Sequence, residues 1–339
     1  ISTKIPTTSQ IYLKSGFGSF SEIRNHAYYG STEQTESGGK FGYLVEMYTR
    51  NNRGFKSLIK EDTDGIPSLR NGAELDSGFV KVEPMLKISY EPKSALYQRW
   101  EAKFGHTNLD ANETYLGLPE GLAGSHTYGR LAATRFDEIE STQYRSYIRH
   151  LIEFSTKTSL RTTIYGNTFN RNWQKLNDVN DGDNISQALA AGSGVAGASA
   201  QALTNYQILA GKATGEFTVR NNNRAYYSYG AQINLEHQLQ AGEVEHNLEV
   251  GVRFHEDQIR RKQWDEDYTQ DANGNITSVV TSARGVAGNR TQNVFATSIH
   301  AQDQMKFGKF TFTPGFRLEN MAAEYCDGGC GNAGVNKGD

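Results

Sequence analysis

The chain has 339 residues, rich in Gly (35), Tyr (18) and Phe (16) and poor in Pro (6), a mixture that favours strands and turns over disorder and a length that suits two ordinary domains or one large all-β one. Mean hydropathy is −0.63 and no long apolar run occurs, which excludes a transmembrane helix but not a membrane barrel, whose half-polar strands escape hydropathy. The net charge of −3 is spread along the chain and leaves no electrostatic footprint for nucleic acid.

The opening ISTKIPTTSQ has no signal-peptide layout, so either the protein is cytoplasmic or the segment begins inside a longer precursor. Strand-like alternation then starts at residue 10. Segments 10–19 and 22–31 form a tight pair, and 41–50 follows a Gly- and Ser-bearing turn. From 79 to 90, Val80, Val82, Leu86, Ile88 and Tyr90 oppose Lys81, Glu83, Lys87 and Ser89; successive strand side chains point to opposite faces. Segment 96–106 sets Leu96, Trp100, Ala102 and Phe104 against Arg99, Glu101 and Lys103. Tyr144, Ile148, Ile152 and Phe154 oppose Arg145, Arg149 and Glu153, after which the turn STKTS leads into 160–172. Segments 224–237, 246–264, 292–306 and 309–321 continue the pattern. The clearest is 246–264, with Leu248, Val250, Val252 and Phe254 on one side and Asn247, Glu249, Arg253, His255 and Asp257 on the other. About eleven strands of roughly ten or more residues result, where a globular strand has five or six.

From the third strand onward the connections alternate in length: 51–77 long, 91–94 short, 107–140 long, 155–158 short, 173–223 long, 238–243 short, 265–291 long, 307–308 short. Long loops on one rim and tight turns on the other, joined by strands of this length, are expected of an antiparallel transmembrane β-barrel. A large soluble β protein, such as an exported glycan-binding module, is the alternative. An odd number of strands leaves an edge whose amides lipid cannot satisfy, so the expectation is a fragment of a larger barrel.

Four stretches carry a family resemblance: NETYLGL (112–118), FTVRNNNRAYYSYGAQ (217–232), HNLEVGVRFHEDQIRRKQ (246–263) and FTFTPGFRLE (310–319). In this order the chain resembles the barrel of TonB-dependent outer-membrane receptors, in the branch of ferric citrate and ferric siderophore receptors. The resemblance implies a 22-stranded barrel in a Gram-negative outer membrane, plugged by an amino-terminal domain that meets the TonB complex. Neither plug nor TonB box lies in this sequence. Residues 1–8 look like the end of the plug leading into the barrel, 9–325 like partial barrel and 326–339 like the start of a further external loop.

No convergent set of residues argues for an enzyme. His255 and Asp257 share a strand face with Arg253, and the three are expected to line the lumen. Arginine clusters suit anionic ferric chelates, because planar guanidinium groups bind carboxylates in bidentate fashion. Arg130 and Arg135 follow the TYLGL motif; Arg171, Arg220, Arg224, Arg260 and Arg261 fall at outer strand ends; with Tyr115, Tyr128 and Tyr226 they make the candidate ligand-binding mouth. The competing reading is that the arginines pair with nearby acids and the aromatics form an interfacial girdle. No cofactor is expected. NDVNDGDN (177–184) and DANGN (271–275) gather oxygen ligands as calcium loops do but lack EF-hand spacing. Cys326 and Cys330 suit a small disulfide loop in an oxidising compartment; free thiols are the alternative, and two thiolates fall short of a zinc site. The expected function is energy-coupled import of a ferric siderophore or ferric citrate-like chelate, with cobalamin or saccharide cargo as the alternative. The expected partners are that small molecule, TonB and outer-membrane lipid.

Overall fold

The computed structural model describes residues 3–59, 77–180, 185–194 and 196–328, with the backbone of Asn336–Gly338. Eleven long strands pair antiparallel in chain order into one open sheet: β1 (Gln10–Gly18), β2 (Glu22–Gln34), β3 (Lys40–Asn52), β4 (Phe79–Glu91), β5 (Tyr97–Ala111), β6 (Glu138–Ser155), β7 (Thr158–Val179), β8 (Gly215–Ala241), β9 (Val244–Gln270), β10 (Gly288–Phe307) and β11 (Gly315–Asp327). Short strands Ile276–Thr281, Phe310–Phe312 and Asn336–Gly338 add to β9, β10 and β11. The last expected strand is split because Pro314 has no amide to donate to a ladder; its carbonyl instead accepts from the Asp303 amide at 3.0 Å.

One face of the sheet is apolar and bare. Register aligns Tyr29, Val45, Leu86 and Phe104 on neighbouring strands, and further along Tyr229 and Phe295. Phe104 is 50% exposed and Ile164 59%. An apolar surface running across every strand far exceeds what a monomer leaves in water. On β8 this face is apolar from Tyr227 to Leu235, about the length a tilted strand needs to cross hydrocarbon. Beyond Tyr227 it turns to Asn223 and Asn221. The 27 residues each of β8 and β9 therefore project well past the apolar band.

The opposite face is polar, and the amino-terminal segment lies across it. Lys87 Nζ donates to the Thr3 carbonyl at 2.5 Å, Thr3 Oγ1 donates to Glu46 at 2.7 Å and Thr32 Oγ1 to the Pro6 carbonyl at 2.7 Å. Gly30 and Gly42 make room: a Cβ on Gly30 would sit 2.8 Å from Pro6, and one on Gly42 3.0 Å from Ile5.

The buried core is built where loops pack on the ends of β7, β8 and β9. The loop expected at 173–223 shrinks to 180–214 and contains α1 (Ile185–Gly192) and α2 (Ala200–Leu209), the latter capped by Ser199 Oγ accepting from the Ala202 amide at 3.1 Å. Ile208 and Leu209 pack with Leu131, Phe136, Leu176, Val179, Phe217, Val219 and Tyr268. Strand extensions and loops are thereby welded into one base. Ser57–Leu58 also pairs in parallel with Gly129–Arg130, joining the loop after β3 to the loop after β5.

Candidate ligand-binding face

On the polar face, Arg171 of β7, Arg224 of β8, Arg261 of β9 and Arg290 of β10 are direct cross-strand partners, one row over four adjacent strands. Opposed side chains on one face lie about 5 Å apart at Cβ, and like charges so placed repel. Arg290 is relieved by Asp327, 3.5 Å away. One step further out, Arg220 makes two 2.8 Å bonds to Asp265. Among the described residues, no carboxylate lies within the 4.0 Å ion-pair distance of Arg171, Arg224 or Arg261. Burial and the charges of Arg224, Arg290 and Arg220 hold Arg261 below its ordinary pKa.

The row is held by polar and aromatic neighbours. Arg261 bonds to Gln263, and Gln263 to Asn222. Arg224 Nη1 approaches the Tyr226 hydroxyl at 3.4 Å, and the Tyr226 ring packs on Phe169 at 5.6 Å. Arg171 lies over Trp173 at 5.9 Å. Lys175 Nζ lies over Trp173 at 5.0 Å and over Tyr115 at 4.6 Å, while the Tyr115 hydroxyl donates to the Leu176 carbonyl at 2.8 Å. Burial, outweighing the attraction of Asp137, together with Arg171, Arg220 and Arg224, keeps Lys175 below its ordinary pKa. Among the described residues, Arg224 Nε, Arg261 Nε and Trp173 Nε1 are buried without an acceptor, as is Arg135 Nε in the loop base.

Nearer the short-turn rim, the same face carries Arg253, His255 and Asp257. Arg253 Nε donates to the Tyr165 hydroxyl at 2.8 Å; that hydroxyl lies 2.7 Å from His255 Nδ1, and His255 Nε2 lies 2.7 Å from Asp257. If Tyr165 donates onward to Nδ1, the imidazole proton sits on Nε2, facing the carboxylate. The three residues thus join through Tyr165 into one hydrogen-bonded chain.

Other expected residues lie elsewhere. Arg130 and Arg135 are not at an open mouth; they are 2% and 5% exposed, inside the loop base. Arg135 donates to the Ala132 and Gly274 carbonyls, both at 3.0 Å, and lies over Phe136 at 4.9 Å; burial lowers its pKa to about 10. Arg130 reaches the Thr134 carbonyl at 3.4 Å. Tyr128 is exposed but packs edge-on against Phe55. Arg260 corrects the expected grouping most directly: as the strand neighbour of Arg261 it faces the other side of the sheet, where it lies over Tyr227 at 5.5 Å. Sequence reasoning missed Arg290, which strand register brings into the row, and Lys175, which register sets opposite Arg220 just beyond it.

Asp137, at the foot of the same loop, accepts from the Leu176 amide at 2.6 Å, and burial raises its carboxyl to about 7 against a hydrogen bond from Thr114. DANGN closes a hairpin rather than presenting free ligands: Asp271 Oδ1 accepts from the Asn273 and Asn275 amides at 2.8 and 2.9 Å, and Asn275 Nδ2 binds its other oxygen. In NDVNDGDN, Asn177 bonds to Asp178, and residues 181–184 lie outside the described residues. Asp110, Glu138 and Glu140 bring carboxylate oxygens within 4.8 Å of one another, on the face opposite the arginine row. Cys326 is buried and disulfide-bonded; Cys330 lies outside the described residues.

No protein-family model matches the chain, and no curated protein does. Solved structures do. The ferric-catecholate import receptor Fiu from E. coli K12, in its closed form, superposes with a TM-score of 0.66 at 13% identity over 100% of this chain and 46% of its own. The unliganded ferric citrate transporter FecA gives 0.63 at 12% identity, covering 96% and 40%. The siderophore receptor PiuA from Acinetobacter baumannii gives 0.62 at 11%, covering 99% and 46%. At such identities the likeness shows the fold, an antiparallel transmembrane β-barrel. The chain spans less than half the length of these structures.

Proposed function

We propose that this chain is barrel wall of a TonB-dependent outer-membrane receptor, and that its arginine row takes an anionic ferric chelate of the ferric citrate type for energy-coupled import. The observation that carries the reading is Arg171, Arg224 and Arg261 in cross-strand register, without a carboxylate partner among the described residues. A polycarboxylate offers planar pairs of acceptors that match guanidinium forks and relieves their mutual repulsion. A neutral saccharide leaves that repulsion in place. The solved barrels of the same fold include a ferric citrate transporter and ferric-catecholate and siderophore receptors, which supports an iron cargo.

In this reading the bare apolar face meets lipid and the polar face lines the lumen. The Tyr165, His255, Asp257 and Arg253 chain lies along the route inward. The plug domain and its TonB contact are supplied by the rest of the receptor, with ligand binding shifting the plug's population of states.

Trp173, two residues from Arg171 on the same face, is the natural reporter. Titration of the detergent-solubilised receptor with ferric citrate should quench tryptophan fluorescence saturably and iron-free citrate only weakly, and Trp173→Phe should remove the component that this residue reports. Arg224→Ala should lower the affinity about tenfold or more, the loss of a charged hydrogen bond. Equal response to ferric citrate and to a neutral saccharide would remove the anionic chelate from the reading.

A further inference from the structure

We infer that the ferric chelate of the arginine row carries an uncharged apolar arm, and that the arm lies on an apolar shelf directly inward of the row. The inference deepens the reading proposed above and rests on it. Stepping two residues along each strand from Arg171, Arg224, Arg261 and Arg290 keeps to the same face. It gives Phe169, Tyr226, Ile259 and Gln292, with Tyr325 of β11 next in register. All but Gln292 are aromatic or aliphatic, and the tier lies about 7 Å inward of the arginines. The arginine row ends at β7, since the β6 partner of Arg171 is Ser141, and the shelf ends with it. At the shelf's level β6 carries Gln143 and β5 carries Thr107; Thr107 donates to Glu83 at 3.0 Å and accepts from Arg145 at 2.8 Å. The apolar tier therefore runs under the arginines and turns polar where they stop.

The chemistry of the shelf selects what can lie on it. Both tyrosine hydroxyls are taken up at the charged tier: Arg224 Nη1 reaches that of Tyr226 at 3.4 Å, and Tyr325 donates to Asp327 at 3.1 Å with Arg290 over its ring at 6.0 Å. What the two residues offer inward is ring. One tier further in, Val294 and Ala323 are direct partners, followed by Ala296 and Met321. Ala323 and Met321 are exposed, and the small side chains beside Ile259 and Tyr325 leave a strip of low apolar wall. Asp257, the β9 partner of Val294, stands at the edge of this strip with its side chain 51% exposed. Its carboxylate repels the carboxylates of a chelate, so these stay at the row, and only an uncharged group is favoured by reaching inward. Plain ferric citrate would fill the charged tier and leave the shelf wet. Removing two methylenes of an arm from water corresponds to about tenfold in affinity.

The test titrates the detergent-solubilised receptor, by tryptophan fluorescence, with ferric complexes of three citrate monoamides that differ only in the arm: n-butyl, benzyl and 2-methoxyethyl. The last matches n-butyl in length but carries an ether oxygen. The butyl and benzyl chelates should bind about tenfold tighter than the methoxyethyl one. Ile259→Ser and Val294→Ser should each bring that ratio close to one; both place a hydroxyl on a face that is already polar, so the sheet should still form. Arg224→Ala should weaken all three chelates by a similar factor. Equal binding of the three arms, weakened alike by Arg224→Ala, would overturn the arm and leave the arginine row standing. A ratio that survives both serine substitutions would overturn the shelf as the arm's seat. Binding indifferent to Arg224→Ala would overturn the row itself, and the arm with it.

Discussion

Arg135 and Arg224 have the same side chain and opposite situations. Arg135 is sealed in the loop base with its guanidinium spent on two carbonyls and an aromatic face. Arg224 stands in a row of its own kind, with like charges as its cross-strand neighbours. A buried cation held by two carbonyls and a ring is a structural fastener, whereas cations aligned without counter-charge store repulsion that a ligand can release. On the reading proposed above, ligand binding belongs with the second group, and the two should separate cleanly under mutation.

The largest effect should come from the fastener. Arg135→Ala leaves the Ala132 and Gly274 carbonyls unbonded and opens a cavity between Phe136 and Phe217, costing about 3 kcal/mol. Limited proteolysis should then cut the loops at 112–137 and 271–287, while the membrane-embedded sheet stays folded. If the loops remain protected, Arg135 is not what joins them.

Asp137 offers a pH handle on the same base. Burial raises its carboxyl from 3.8 in the unfolded chain to about 7, so the folded base prefers the protonated form. Its contribution is complete below pH 3.8 and is lost as pH rises through about 7, at a slope of up to about 1.4 kcal/mol per pH unit. Loop protection from hydrogen exchange should therefore be greater at pH 5.5 than at pH 8, and Asp137→Asn, which keeps an acceptor for the Leu176 amide, should flatten the difference.

The row should show the reverse signature. Arg171→Ala, Arg224→Ala or Arg261→Ala should each weaken anion binding by about 1.5–3 kcal/mol without lowering the melting temperature, because each removal relieves like-charge repulsion. A fall in both affinity and melting temperature would class these arginines with Arg135. The smallest effect is expected at the paired arginine: Asp265→Asn frees Arg220 and should tighten anion binding by up to about 1 kcal/mol, the usual range for a partly exposed ion pair, as read by the same Trp173 titration.

Much of the barrel is legible in the sequence because a strand with one face in oil and one in water must alternate, and because loop length records which rim a turn lies on. Strand ends are read less well. Phe217, Val219 and Tyr268 continue β8 and β9 far into what looks like loop, since beyond the apolar band their outward face is covered by α1, α2 and the segment at 132–136, and such burial has no period of its own. Arg130 and Arg135 mislead for the same reason: charge alone does not reveal that a loop folds into a core. Arg260 is different, because period-two counting from Arg253 and His255 already assigns it to the apolar side.

The sequence alone therefore determines the alternation, the approximate strands and the two kinds of rim, since these follow from local side-chain chemistry repeated along one segment. Only tertiary structure decides which arginines meet. Arg171, Arg224, Arg261 and Arg290 are separated by loops and turns of unrelated length, and cross-strand hydrogen bonding alone sets them in one row, where a slip of one residue in any strand would turn its arginine to the opposite face.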